Sequence, residues 1–224
     1  MNGWKGLFIT FEGTEGSGKT TQVELFCRYL DERGISHIRT RDPGGTPIGE
    51  AVRKILLDRE NTNMRPETEL LLYLSSRYQL FHQVILPALE QGRIVVCDRF
   101  ADSTVAYQGY GRGIDLEWIR LMHHQILGDK KPDLTILFDC PVKEGLERTK
   151  HRMSTQGEHC REDRFEQEAV SFHQRVRTGY LKIAEQEPHR VIKVNGRNSP
   201  EDLHREILSV ISKRCPNPCL LGKL

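Results

Sequence analysis

Short apolar runs alternate with stretches of helical periodicity along most of the chain. Leu7–Phe11, Arg93–Cys97 and Leu134–Phe138 are apolar enough to be strands buried on both faces, and His37–Arg41 and Arg190–Val194 are weaker strand candidates. Val23, Phe26, Cys27 and Leu30 share one face of a helix expected over Thr21–Glu32, with Gly34 as its stop signal. Leu70, Leu74, Phe81, Val84 and Ala88 mark a long helix over Glu67–Gln91. Two further helices are expected over Phe165–Glu185 and Glu201–Lys213, and the turn residues of Asp42–Pro47 predict a loop.

Strands alternating with helices predict an α/β fold in which a parallel five-stranded sheet is flanked by helices. Residues 1–214 are expected to form one domain, with a small mobile lid at about 145–166 and an irregular tail at 215–224. The lid expectation rests on the charged segment Gly145–Arg164, which has almost no apolar periodicity. The same charge also fits a solvated loop.

Composition narrows the function classes. Lys plus Arg total 33 and Asp plus Glu 31, so overall charge offers no case for a nucleic-acid or membrane partner. No stretch approaches the roughly 20 apolar residues of a membrane span, and Met1–Lys5 leads directly into a strand-like run. A cytoplasmic protein is expected. Six cysteines in 224 residues do not suggest a disulfide scaffold, and neither His159–Cys160 nor Cys215 and Cys219 has a second ligand pair at zinc spacing.

The strongest chemical signal is Gly13-Thr14-Glu15-Gly16-Ser17-Gly18-Lys19-Thr20, a match to G-x-x-x-x-G-K-[ST] between a strand and a helix. In such a P-loop, backbone N–H groups turn inward around phosphate oxygens and the helix start adds its positive dipole end. Gly13 through Thr21 are therefore the expected ATP-binding residues, with Lys19 on the β- and γ-phosphates and the Thr20 hydroxyl on Mg²⁺. The base-reading N-K-x-D of GTPases is missing. Asp98-Arg99 follows an expected strand, where open parallel sheets place their ligands. Asp98 is placed to meet Mg²⁺ and Arg99 a second anion. A surface Asp-Arg pair is the plainer alternative.

Arg77 falls within the apolar stripe of the 67–91 helix, one turn after Tyr73. A guanidinium facing a core needs a carboxylate or a ligand as partner, unless it reaches water along the stripe's edge. An aromatic face and a planar donor fork at i and i+4 suit a nucleobase.

Several segments resemble thymidylate kinases of the bacterial type, in family order over roughly Leu7–Val194. They are Phe11–Thr21, Arg41-Asp42-Pro43-Gly44-Gly45-Thr46, Asp98–Gly109, Pro132-Asp133-Leu134-Thr135 and Asp163-Arg164-Phe165-Glu166. The resemblance implies an ATP-dependent kinase that phosphorylates dTMP to dTDP, with ATP as co-substrate and Mg²⁺; the alternatives are a P-loop kinase for another nucleotide or nucleoside, or a nucleotide-binding module without catalysis. It also implies a homodimer. By the same resemblance Tyr73 stacks on thymine, Arg77 donates to O4, Gln108 meets the N3 edge and Thr104 lies near the base. Tyr107 packs where a 2′-hydroxyl would be, Glu15 binds the 3′-hydroxyl, and Arg53 and Arg99 hold the acceptor phosphate. Asp42 stands where relatives usually carry Glu and is expected at the substrate. The P-loop has no arginine at its variable positions, so the catalytic positive charge is expected from the lid, from Arg164, or from Arg161 or Arg152.

Overall fold

The computed structural model describes residues 5–156, 164–165 and 167–214. Five strands, β1 (Leu7–Gly13), β2 (His37–Arg41), β3 (Ile94–Asp98), β4 (Leu134–Asp139) and β5 (Val191–Asn195), form one sheet in the order β2-β3-β1-β4-β5. Every pairing is parallel. The three apolar runs occupy the centre, where both faces are covered. The polar-interrupted β2 and β5, with Arg39 and Lys193, form the edges.

The helices are α1 (Lys19–Glu32), α2 (Pro47–Leu57), α3 (Pro66–Leu80), α4 (Leu86–Glu90), α5 (Ala101–Thr104), α6 (Leu116–Leu127), α7 (Val142–Gln156), α8 (Val170–Gln186) and α9 (Pro200–Arg214). Leu7, Ile9 and Phe11 face α1 and α9, packing on Phe26, Phe138, Val194 and Ile207. Phe8 and Val95 face the other way, onto Phe81, Leu89 and Phe100. The long helix expected over Glu67–Gln91 is present but contains a π-turn at Phe81–Ile85, in which Leu86 N–H reaches Phe81 O. Pro87 lacks an N–H and crowds the preceding turn, which a widened turn accommodates.

Helices α2, α5 and α6 and a second π-stretch at Val105–Gly111 went unpredicted. The start of α2 carries a local signal: Thr46 caps Gly49 N–H at 2.9 Å, with Pro47 in the first turn. The charged segment also differs from expectation, because its first part is the regular helix α7. Its buried positions Val142, Gly145 and Thr149 are mostly small, so the apolar periodicity that marks a packed helix is weak. Gly145 lies directly on the P-loop: a Cβ at Gly16 would collide with the Gly145 carbonyl, and one at Gly145 with the Glu15 carbonyl. Gly16 also has φ 65°, a backbone region that favours glycine. No helix among the described residues is long and apolar enough to cross a membrane.

Candidate active site

The strand order reverses beside β1, and the P-loop leaves β1 at that switch point, where open α/β sheets bind ligands. A cleft of about 620 Å³ opens there, lined by Gly16–Thr21 together with Asp42, Arg53, Asp98, Arg99 and Arg152. Gly13 and Gly18 supply φ values of 147° and 98° to the loop. Lys19 donates to Thr14 O at 2.7 Å and Ser17 Oγ at 3.3 Å. Burial, with the Arg99 charge behind it, lowers the Lys19 ammonium to about 8. The Thr20 hydroxyl donates to Asp98 Oδ2 at 3.1 Å, so the two expected metal ligands are neighbours. Thr21 is exposed and borders a second cleft of about 470 Å³, between α7 and the start of α9.

Arg99 has φ 69°, the sole non-glycine in the left-handed region among the described residues. Such a backbone costs on the order of 1–3 kcal/mol and persists only where its surroundings over-determine it. Here Arg99 N–H bonds Phe11 O at 3.0 Å and the next N–H, of Phe100, bonds Glu12 Oε1 at 2.7 Å. Glu12 Oε2 also accepts from Ser103 Oγ at 2.6 Å and Tyr180 OH at 2.8 Å. Burial and the nearby Asp102 charge raise the Glu12 carboxyl to about 7. The Arg99 guanidinium donates to Gly13 O at 2.8 Å, Tyr180 OH at 3.0 Å and Glu15 Oε1 at 3.2 Å, and lies over the Tyr107 ring.

Glu15 lines the cleft and turns its carboxylate to Arg99. Its Oε1 accepts from Tyr107 OH at 2.5 Å, and its Oε2 lies 3.2 Å from His173 Nδ1. Burial opposes ionisation, yet His173, Arg99 and Lys19 hold the Glu15 carboxyl far below the usual carboxylate range. Arg53 donates to Pro43 O at 3.0 Å at the cleft's edge.

Two helical faces meet where the acceptor is expected. Glu69, Tyr73 and Arg77 recur at every fourth position of α3, and Thr104, Gln108 and Arg112 do so on the 101–112 segment. The faces run antiparallel. Gln108 Nε2 bonds Glu69 Oε1 at 2.8 Å at one end, and Arg77 NH2 bonds Phe100 O at 3.2 Å at the other. Thr104, between them, has a buried hydroxyl without a hydrogen-bond partner. Tyr73 packs near Phe165.

Arg77 is almost fully buried, not at an edge, and the carboxylate partner is Asp42, whose Oδ2 accepts from Nε at 2.5 Å. Asp42 thus holds Arg77. His123 Nε2 lies 2.9 Å from Arg77 NH1 and must be the acceptor, since the guanidinium only donates. Burial and the Arg77 charge lower the His123 imidazole to about 3. A group held neutral in the fold but protonated near 6.5 when unfolded loses stability as pH falls below 6.5, down to about 3. Because the ring is only partly buried, its share between pH 7 and 5 is put at about 1 kcal/mol. Urea titrations at both pH values are expected to show that loss in the parent and its absence in His123→Gln.

Of the expected lid arginines, Arg152 borders both clefts beside the P-loop. Arg164 does not. It is buried, with Nε on Leu56 O at 3.1 Å and NH2 on Glu69 Oε2 at 2.6 Å, because α2 and Glu69 satisfy its guanidinium away from the phosphates. Arg161 lies outside the described residues, as do Cys160, Asp163, Glu166 and the 215–224 tail. Residue-type reasoning missed Glu69, His123, His173 and Tyr180, which lie in no quoted motif, and gave no role to Glu12 inside the P-loop segment; all five gain meaning only from partners distant in sequence.

The thymidylate kinase family model matches residues 11–207. The chain is 47% identical to a thymidylate kinase of Geotalea uraniireducens (strain Rf4) over 93% of its own length and 98% of the relative's. It is 48% identical to that of Pelobacter propionicus (strain DSM 2379 / NBRC 103807 / OttBd1), over 95% and 97%. The crystal structure of thymidylate kinase from Ehrlichia chaffeensis superposes with a TM-score of 0.73 at 34% identity, covering 92% of this chain and 98% of that one. With a P-loop at the switch point and the family model matching most of its length, the chain belongs to the thymidylate kinase family.

Proposed function

We propose a division of labour for the family's reaction, transfer of the γ-phosphoryl group of ATP to dTMP to form dTDP. Gly13–Thr21 cradle the ATP phosphates through backbone N–H groups and Lys19. The second cleft, between α7 and the start of α9, takes the nucleoside part of ATP. Thr20 and Asp98, whose oxygens are hard donors 3.1 Å apart, suit Mg²⁺. When bound, that ion neutralises charge on the phosphate oxygens. Arg99 and Arg53 hold the acceptor phosphate, whose oxygen attacks the γ-phosphorus in line. That oxygen is already ionised near neutral pH, its second pKa being about 6, so little general-base help is needed.

Tyr73, Arg77, Thr104 and Gln108 take the thymine, with Asp42 aiming Arg77. Arg77 spends three of its five N–H groups on protein acceptors, which leaves donors for O4. Glu15 takes the 3′-hydroxyl, and Tyr107, fixed by Glu15 and the Phe165, Phe172 and Tyr180 rings, excludes a 2′-hydroxyl. The observation that carries this reading is the buried, partnered Arg77 opposite the unpartnered Thr104 hydroxyl. An enzyme-linked ADP assay with dTMP, its ribose analogue, dUMP, dCMP and thymidine tests it. We expect dTMP to lead, dUMP to follow within about 10-fold, as one methyl in an apolar pocket allows, and dCMP and the ribose analogue to trail far behind. Comparable kcat/KM for dCMP and dTMP overturns the base-reading roles.

Residues 145–166 act as a lid in this proposal. The assembly is a homodimer formed through the α2–α3–α6 face, where Ile48, Ile55, Leu71, Tyr78 and Leu121 are exposed. Sedimentation equilibrium is expected to give twice the chain mass, and Leu71→Arg to reduce it; a monomeric parent refutes the assembly. The reduced thiols of Cys27, Cys97 and Cys140, all buried, fit a cytoplasmic location.

A further inference from the structure

Glu69 lies almost fully buried near the start of α3, where four donor groups converge on its two oxygens. Gln108 Nε2 and Arg112 Nε reach Oε1 at 2.8 and 3.2 Å, and Arg112 NH2 and Arg164 NH2 reach Oε2 at 3.1 and 2.6 Å. A carboxylate bracketed by two guanidinium groups accepts and does not donate. The two ends of the Gln108 amide are nearly the same in shape, so its orientation follows from this hydrogen-bond network. Nε2 must turn to Glu69. Oε1, which hydrogen-bonds no described residue, is then the atom left for a ligand. One turn earlier the Thr104 hydroxyl is buried and equally without a partner.

We infer that Glu69 is a specificity-positioning residue: by holding Nε2 of Gln108, it presets the amide to offer an acceptor oxygen to the acceptor base. The inference rests on the base-reading role proposed for Gln108. Thymine carries a proton on N3 and donates to that oxygen. Cytosine has a bare N3 and meets oxygen against nitrogen, both acceptors. A half-turn of this one amide exchanges the two preferences, because the NH₂ would then suit cytosine. Glu69 makes no contact with the base in this scheme and acts through Gln108.

Glu69→Gln tests the inference, since a neutral amide donates as readily as it accepts and frees Gln108 to adopt either orientation. The readout is the dTMP-to-dCMP ratio of kcat/KM, measured by competition in one reaction so that the folded fraction cancels. We expect the ratio to fall at least about 10-fold. Glu69→Asp keeps an acceptor-only group and is expected to retain the parent's ratio even where activity drops. In a Gln108→Leu background, Glu69→Gln is expected to leave the ratio unchanged, which a general scaffold effect would not do. An unchanged ratio in Glu69→Gln, an equal shift in Glu69→Asp, or equal loss of both acceptors in folded Glu69→Gln overturns the inference. A parent without preference for dTMP would instead sink the base-reading role on which it rests.

Discussion

Arg152→Ala is expected to lower kcat by about 10³-fold or more while leaving KM for dTMP within a few-fold of the parent's. Transferring phosphoryl groups gain that much from an arginine at the γ-phosphate. The P-loop's variable positions Thr14, Glu15, Gly16 and Ser17 offer none. Arg152 lies on α7, whose backbone rests on Gly16, and it borders the cleft that Gly18 and Asp98 also line. Arg164→Ala is the informative contrast. Its guanidinium is committed to Leu56 O and Glu69, so the loss falls on stability, by about 2 kcal/mol for bonds to a charged group. Steady-state kinetics and thermal unfolding of both variants separate the roles. Parent-like turnover in Arg152→Ala together with a collapse in Arg161→Ala would move the catalytic charge to Arg161.

Arg77→Ala is expected to lower kcat/KM for dTMP by about 10³-fold and to leave KM for ATP nearly unchanged. The removed group would take the O4 contact with it and leave Asp42 buried without its cation. Uncompensated buried charge of that kind costs about 3–5 kcal/mol. Asp42→Asn in the same background relieves that charge but does not restore the contact, so it is expected to recover stability and not dTMP use. Kinetics for both substrates on the single and double variants decide the matter, and an Arg77→Ala enzyme with parent kinetics for dTMP refutes the assignment.

The central sheet was legible because β1, β3 and β4 are buried on both faces and so read as continuous apolar runs. The P-loop was legible because its chemistry is local. Arg77 stood out as a charge inside an apolar stripe, although its partner Asp42, 35 residues away, did not. Helices α2 and α6 went unpredicted although both were legible: Ile48, Val52, Ile55 and Leu56 recur at helical spacing behind the cap Thr46, and Trp118, Met122 and Ile126 behind the cap Asp115. Glu69 shows the harder limit. In the sequence it is one of two acidic residues in the first turn of a helix, where a dipole argument accounts for it completely. Its other meaning comes from Gln108, Arg112 and Arg164, brought to it by the fold.

The contact between Gly16 and Gly145 bears on how accurately α7 can be aimed. Most helices in a packed protein are cushioned by side chains that change rotamer when a neighbour shifts, so a displacement fades over a few contacts. Between the phosphate loop and α7 that compliance is missing, since backbone meets backbone. Arg152 therefore takes its bearings from the loop itself, while Arg148 is also tied to the end of the sheet through Gly196 O, 2.7 Å from its NH1. The groups that grip the phosphates and the helix that approaches them share one frame of reference, and a drift of the sheet would carry both together without changing the aim.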